Sequence, residues 1–258
     1  MNFLGLKTPK LIFLFCFVAL ALMASAVQAQ QLIRGPYLQM GTSTSMTIRW
    51  KTDVPTPSKV TYGTDFSKNQ TIESASLDTS HVVQLTNLQA ATKYFYSVGS
   101  DVQTLQADSA NYFITSPLTG STPHIRMVAF GDCGTGTTQQ QKVIQQVEQY
   151  FGKQPIDGWL LLGDNAYSYG YFSEYQKKFF GVYQAYGFMK HTVLWPTLGN
   201  HDYAGIRNWP SWLGNHPAYH EVFTLPTNGE CGGVASNTEA YYSYNYGNVH
   251  FVSLDSFA

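Results

Sequence analysis

The sequence predicts two parts in succession, an all-β sandwich and then an α/β unit built on a parallel sheet. Three observations predict it. From Gln31 to about Pro117 short apolar runs alternate with Gly, Asp, Asn and Ser turns, the rhythm of antiparallel strands. Ser116 to Pro123 is a Pro/Gly/Ser/Thr stretch, which marks a boundary. Beyond it, strand-like runs alternate with helical stripes, and such alternation implies parallel strands with helices on the sheet faces.

In the first part Met46 to Thr52 alternates with period two, and Lys59 to Tyr62, His81 to Leu85, Lys93 to Val98 and Ala110 to Thr115 are further short strands. No catalytic constellation stands out there, so a structural or spacing role is its expected contribution. In the second part the apolar runs Ile125–Phe130, Trp159–Leu162 and Val193–Leu198 read as buried strands. Val143, Ile144, Val147, Tyr150 and Phe151 form a helical stripe, and a second helix is expected around Phe172 to Tyr186. Tyr241–Tyr244 and Val249–Leu254, joined through Tyr246-Gly247-Asn248, read as an antiparallel hairpin.

Residues 1–29 stand apart. Lys7 and Lys10 precede the apolar run Leu11–Met23, and Val27-Gln28-Ala29 fits a small-x-small cleavage site, the pattern of a secretory signal peptide. That run is too short to span a hydrocarbon core of about 30 Å, and the expected location is secreted or periplasmic, with no membrane attachment after cleavage. Removing the segment takes two lysines and no acid, moving the formal charge from −1 to −3. So near a balance argues against a nucleic-acid footprint. Export permits a disulfide between Cys133 and Cys231; for Cys133 a buried thiol or a disulfide is favoured over a metal ligand. Asn69-Gln70-Thr71 matches an N-glycosylation acceptor.

Each of the three strand-like runs ends in polar residues: Gly131-Asp132-Cys133-Gly134, Gly163-Asp164-Asn165-Ala166-Tyr167 and Gly199-Asn200-His201-Asp202. Asp132, Asp164 and Asn200 follow one another at 32 and 36 residues, the length of strand–helix–strand units. Loops at the carboxyl ends of such strands meet at one rim, where ligands bind. Two carboxylates, a phenol, a carboxamide and an imidazole there suit a metal site that handles phosphate. An aspartate such as Asp164 can bridge two cations about 3.5–4 Å apart. A phenol with a pKa of about 10 gives up its proton only to a strongly acidic cation, so Tyr167, as a ligand, specifies ferric iron; plain packing is its alternative, in a chain with 18 tyrosines. His201 suits ligation or proton donation to substrate, with Asp202 a candidate to orient it. Two glycine-loop readings fail. A P-loop needs Lys then Ser/Thr where Thr137-Thr138 stand, and Gln139 occupies the third glycine position of a dinucleotide fingerprint.

With these motifs, residues 123–258 resemble the calcineurin-like metallophosphoesterase superfamily, and within it the purple acid phosphatases, which the tyrosine of the second motif sets apart. Arg34-Gly35-Pro36-Tyr37-Leu38 and the Asn87–Tyr96 segment, with its leucine and tyrosine, resemble the fibronectin type III-like domain that precedes the catalytic domain in larger members. The resemblance implies residues 30–118 as that domain and residues 119–258 as the N-terminal part of an α/β metallophosphoesterase domain, an αββα sandwich left incomplete. It further implies Asp132 and Tyr167 on Fe(III), Asp164 bridging, Asn200 on a divalent ion (iron, zinc or manganese), and His201 at the substrate phosphate. The implied activity is hydrolysis of phosphate monoesters by a hydroxide bridging the two metals. A phosphodiesterase or nucleotidase is the near alternative, and a non-catalytic extracellular binding protein the distant one. An intracellular nucleotide switch is disfavoured by the signal peptide and the missing P-loop lysine. The family adds histidines in Val-x-x-His and Gly-His-x-His stretches that this sequence lacks; His250 matches neither. A longer parent protein is therefore expected, and the fragment alone is expected to bind metal weakly and to be inactive. Asn208-Trp209-Pro210-Ser211-Trp212 is a candidate pocket rim, with exposed packing as its alternative.

Overall fold

The computed structural model describes residues 30–152, 154–206 and 217–257, and among these residues it holds eleven strands, three helices and two short 3₁₀ turns. Residues 1–29, where a signal peptide is expected, and Asn208–Trp212 lie outside the described residues.

The first six strands are β1 (Leu32–Gln39), β2 (Met46–Gly63), β3 (Gln70–Leu85), β4 (Lys93–Gly99), β5 (Thr104–Gln106) and β6 (Tyr112–Ile114). All their pairings are antiparallel. The two short runs expected at Met46–Thr52 and Lys59–Tyr62 belong to one strand of 18 residues. Its register against β3 breaks between Lys51 and Ser58. The first half pairs with β1 and the second half with β4, so β2 passes from one part of the sheet to another through its irregular middle. Bends of this kind let one strand serve two layers. Trp50, Met46, Ile48, Val60, Tyr96 and Phe113 fill the space between. Tyr94 closes a corner, its hydroxyl accepting the Gln89 N–H at 2.9 Å beside buried Leu88.

The chain then changes grammar as expected. Strands β7 (Met127–Phe130), β8 (Gly158–Leu161) and β9 (Leu194–Pro196) form a parallel sheet in that order. In register, Val128, Trp159 and Leu194 share one face, and Ala129, Leu160 and Trp195 the other. Helix α1 (Thr138–Phe151) begins at Thr137, whose hydroxyl caps the Gln140 N–H. Helix α2 runs through Phe172–Glu174, a π-helical Tyr175–Phe180 and Gly181–Tyr183. Trp159 is the hub of the helical side, with ring centroids of Phe130, Tyr183, Phe188 and Phe179 at 5.0, 4.8, 5.1 and 5.8 Å. The α1 stripe is only partly used: Ile144 is buried, whereas Val143 and Tyr150 are exposed.

Strands β10 (Tyr242–Tyr246) and β11 (Val249–Ser253) form the expected hairpin. It packs on the opposite sheet face, where Tyr244 stacks on Trp195 at 3.7 Å. The short helix α3 (Ala218–Val222) precedes it.

Gln31–Ala258 forms one compact unit, and named contacts explain why. Arg34 is 1% exposed, its guanidinium 4.7 Å from the Phe180 ring centroid and 5.3 Å from that of Phe172. Buried cation–π contacts of this sort contribute about 2 kcal/mol. Tyr37 donates its hydroxyl to the Val222 carbonyl at 2.6 Å, and Arg49 donates to the Glu221 carbonyl at 2.7 Å. Strand β1 thus rests on α2 and α3.

Candidate metal and phosphate site

The three polar motifs meet at the carboxyl ends of β7, β8 and β9. Asp132 and Asp164 both hold φ of +53°, an uncommon conformation for residues with a side chain. The loops then approach closely enough to require glycine. A Cβ on Gly199 would fall 2.3 Å from the Asp164 backbone nitrogen and its Oδ1, and one on Gly134 would fall 1.8 Å from the Asn165 carbonyl oxygen. The glycines flanking the acidic residues are therefore there for close packing of loop on loop.

Tyr167 donates its hydroxyl to Asp132 Oδ1, and the same oxygen lies 2.9 Å from Asp164 Oδ2. Asp164 Oδ1 accepts the backbone N–H of His201 at 2.9 Å. Burial, and then the two carboxylates, push the Tyr167 phenol well above its ordinary value. Two carboxylates and a phenol thus share one proton, at the rim of the sheet, where Asp132 is exposed and Asp164 and Tyr167 half-buried. Asn200 opens the 3₁₀ turn Asn200–Tyr203 and is exposed. His201 lies beside Tyr167, ring centroids 4.4 Å apart, and its Nδ1 is 2.7 Å from the Ser168 carbonyl oxygen.

Asp202 does not orient His201. Its side chain is fully buried and accepts from the backbone N–H groups of Gly199 and Asn165, from the Asn165 carboxamide and from the Tyr175 hydroxyl. It staples the second motif to the third. Burial pushes its carboxyl up to about 6, against the hydrogen bonds it accepts. Cys133 and Cys231 are both buried and unpaired, and burial pushes both thiols up. Cys133 is therefore a packed thiol and not a thiolate ligand. His250 is exposed on β11 and bonds Asn245 Oδ1 at 2.6 Å.

Residues that the motifs did not single out hold this rim together. Glu174 accepts backbone N–H bonds from Ser168 at 2.5 Å, Tyr169 at 2.8 Å and Tyr171 at 3.2 Å. Lys178 bonds Glu174 at 3.0 Å and also donates to the Tyr167 carbonyl. Partial burial would raise the Glu174 carboxyl, yet these donors hold it below the usual range. Glu174 lies three residues after Tyr171, the spacing of a capping box. The expected Ser, Thr, Asp or Asn is absent at that cap, so the signal was faint.

Among the described residues no group of three or more His, Cys, Asp or Glu forms a metal cluster. The donors that converge are two carboxylates and a phenol, and Asn200 directly precedes His201, whose backbone N–H bonds Asp164. This set fits one end of a cation pair: a hard cation can replace the shared phenolic proton and relieve the crowding of negative charge.

Similarity to known proteins bears on the fold. Residues 33–116 match the family Purple acid Phosphatase, N-terminal domain. No curated protein matches the sequence. Among solved structures, a purple acid phosphatase, PPD1, from yellow lupin (Lupinus luteus) seeds aligns with TM-score 0.62 and 19% identity over 85% of this chain and 45% of its own. A structure of PhoD aligns with TM-score 0.60 and 14% identity over 85% of this chain and 51% of its own. The chain spans about half the length of these structures and shares their fold over that part. Residues 33–116 are thus similar to the purple acid phosphatase N-terminal domain, and over 85% of its length the chain has the fold of the two solved structures.

Proposed function

We propose that the protein is an exported, metal-dependent hydrolase of phosphate monoesters. The observation that carries this reading is the convergence of Asp132, Asp164 and Tyr167 oxygens on one proton at the sheet rim, with His201 alongside. Export rests on the signal-peptide pattern of residues 1–29. Among the described residues no helix is long and apolar enough to cross a membrane.

In this reading Asp132, Tyr167, Asp164 and Asn200 would hold a ferric and a divalent cation. Bound cations of this kind acidify water and neutralise the phosphoryl oxygens. The chain's own groups do the rest. Tyr167, freed of its proton, adds a negative donor without a third carboxylate. The Asp202 staple keeps the second and third loops in register, so Asp164 and Asn200 stay together. His201 directs Nε2 at the substrate, because Nδ1 is engaged by Ser168. In its imidazolium form, with Nδ1–H held by Ser168, the ring can pass its Nε2 proton to the leaving alcohol oxygen as water adds to phosphorus, and the proton that water releases restores the ring, giving alcohol and inorganic phosphate.

The test is an absorption spectrum with metal analysis on the whole exported protein, together with hydrolysis of a phosphate monoester. A broad visible band with about two metals per chain, lost in Tyr167→Phe, is the expected result. Stoichiometric non-iron metal without colour moves the reading to a general metallophosphoesterase. Absence of metal and of hydrolysis overturns it in favour of a binding module.

A further inference from the structure

The loop Tyr167–Tyr171 carries a metal-ligand candidate at one end and supplies the carbonyl that touches His201. Besides the backbone bonds from Tyr167 N–H to the Gly134 carbonyl and from Gly170 N–H to the Ala166 carbonyl, it is anchored by two side chains on α2. Glu174 accepts three of its backbone N–H groups, and Lys178 bonds both Glu174 and the Tyr167 carbonyl. Capping the helix requires only the Tyr171 contact. The bonds to Ser168 and Tyr169 lie upstream of the helix and serve the loop.

That loop decides a proton. A carbonyl oxygen only accepts, so the 2.7 Å contact from Ser168 requires His201 Nδ1 to carry the hydrogen. The neutral ring is then the Nδ1–H tautomer, with its lone pair on Nε2. Free imidazole side chains prefer the opposite arrangement, Nε2–H, so the protein must impose this one. Imposing a tautomer through a second group is a recognised way of aiming a histidine.

We propose that Glu174 is a positioning residue for His201, acting through the Ser168 carbonyl to set which imidazole nitrogen is free to face the substrate. The proposal rests on the hydrolase reading for its purpose, but its geometry stands without it. Glu174→Gln keeps the size of the side chain and replaces one acceptor oxygen by an N–H₂ donor facing backbone N–H groups. The Ser168 peptide is then released, and the ring loses its acceptor.

The experiment is nitrogen-15 NMR of histidine-labelled whole chain, without metal or substrate, at a pH where the ring is neutral. His201→Gln assigns the signal. The expected spectrum places the proton on Nδ1 in the unaltered chain and shifts it to Nε2 in Glu174→Gln. Lys178→Met, which removes the other anchor, is expected to shift it the same way and replaces Glu174→Gln as the deciding variant if that one fails to fold. An Nε2 proton in the unaltered chain, or an Nδ1 proton that survives in the folded deciding variant, overturns the proposal. Because no turnover is measured, a failure of the hydrolase reading shows separately, in the metal analysis.

Discussion

His81 in the β-rich domain and His201 at the rim of the parallel sheet show how differently the two regions treat one residue type. His81 is 1% exposed, stacked on Trp50 at 4.7 Å, with one ring nitrogen 2.8 Å from the Thr52 hydroxyl and the other 2.8 Å from that of Ser58. Both nitrogens are spent on structure. His201 is half-buried and spends only Nδ1, on a backbone carbonyl, while Nε2 has no partner among the described residues. A histidine with both nitrogens engaged in a core stabilises the fold; one with a nitrogen left over at a rim is equipped to act on something else. The carboxylates divide in the same way within the second region. Asp202 is buried and fully engaged, whereas Asp132 and Asp164 face each other across one phenol.

The comparison can be broken most forcefully at Trp159, the ring beneath the rim. Trp159→Ala leaves a void among Phe130, Phe179, Tyr183 and Phe188 and is expected to cost about 3–5 kcal/mol. Urea unfolding followed by probes in both regions measures it. Since Arg34, Tyr37 and Arg49 tie the β-rich domain to α2 and α3, both probes should shift together. A transition that moves for the second region alone would mean that each region folds for itself.

A milder test uses acid. Burial pushes the His81 imidazole down to about 4, against 6.5 when unfolded. Between those values the unfolded chain binds the extra proton. The stability that the neutral ring contributes is therefore complete above pH 6.5 and lost as pH falls to about 4, at on the order of 1 kcal/mol per pH unit. Thermal midpoints recorded across that window should fall more steeply for the unaltered chain than for His81→Gln. Parallel slopes would remove His81 from the account.

The smallest effect sharpens the picture of the corner. Tyr94→Phe deletes the acceptor of the Gln89 N–H and should cost about 1 kcal/mol, read as a shift of the urea midpoint with unchanged slope.

Much of this was legible in the residues. The hairpin, the parallel strands and the two helices fall where period and punctuation place them, because each is set by neighbours in sequence. The motif residues Asp132, Asp164 and Tyr167 could be picked out from their positions behind apolar runs. Length was harder. The two short runs of β2 merge because β1, β3 and β4 continue the pairing across a polar middle that has no apolar pattern of its own. The α1 stripe was legible as a helix, but its exposed Val143 and Tyr150 were not.

The amino-acid sequence by itself therefore determined the order of strands and helices and the donors carried behind each strand, since these depend on local periodicity and residue type. Only the tertiary structure decided what each donor faces. It turned Asp202 inward as a staple, left Cys133 a buried thiol, and recruited Glu174 and Lys178 to hold the loop beside His201. The physical reason is that a hydrogen bond is made by whatever group lies within about 3 Å, and folding, not spacing along the chain, brings such groups together.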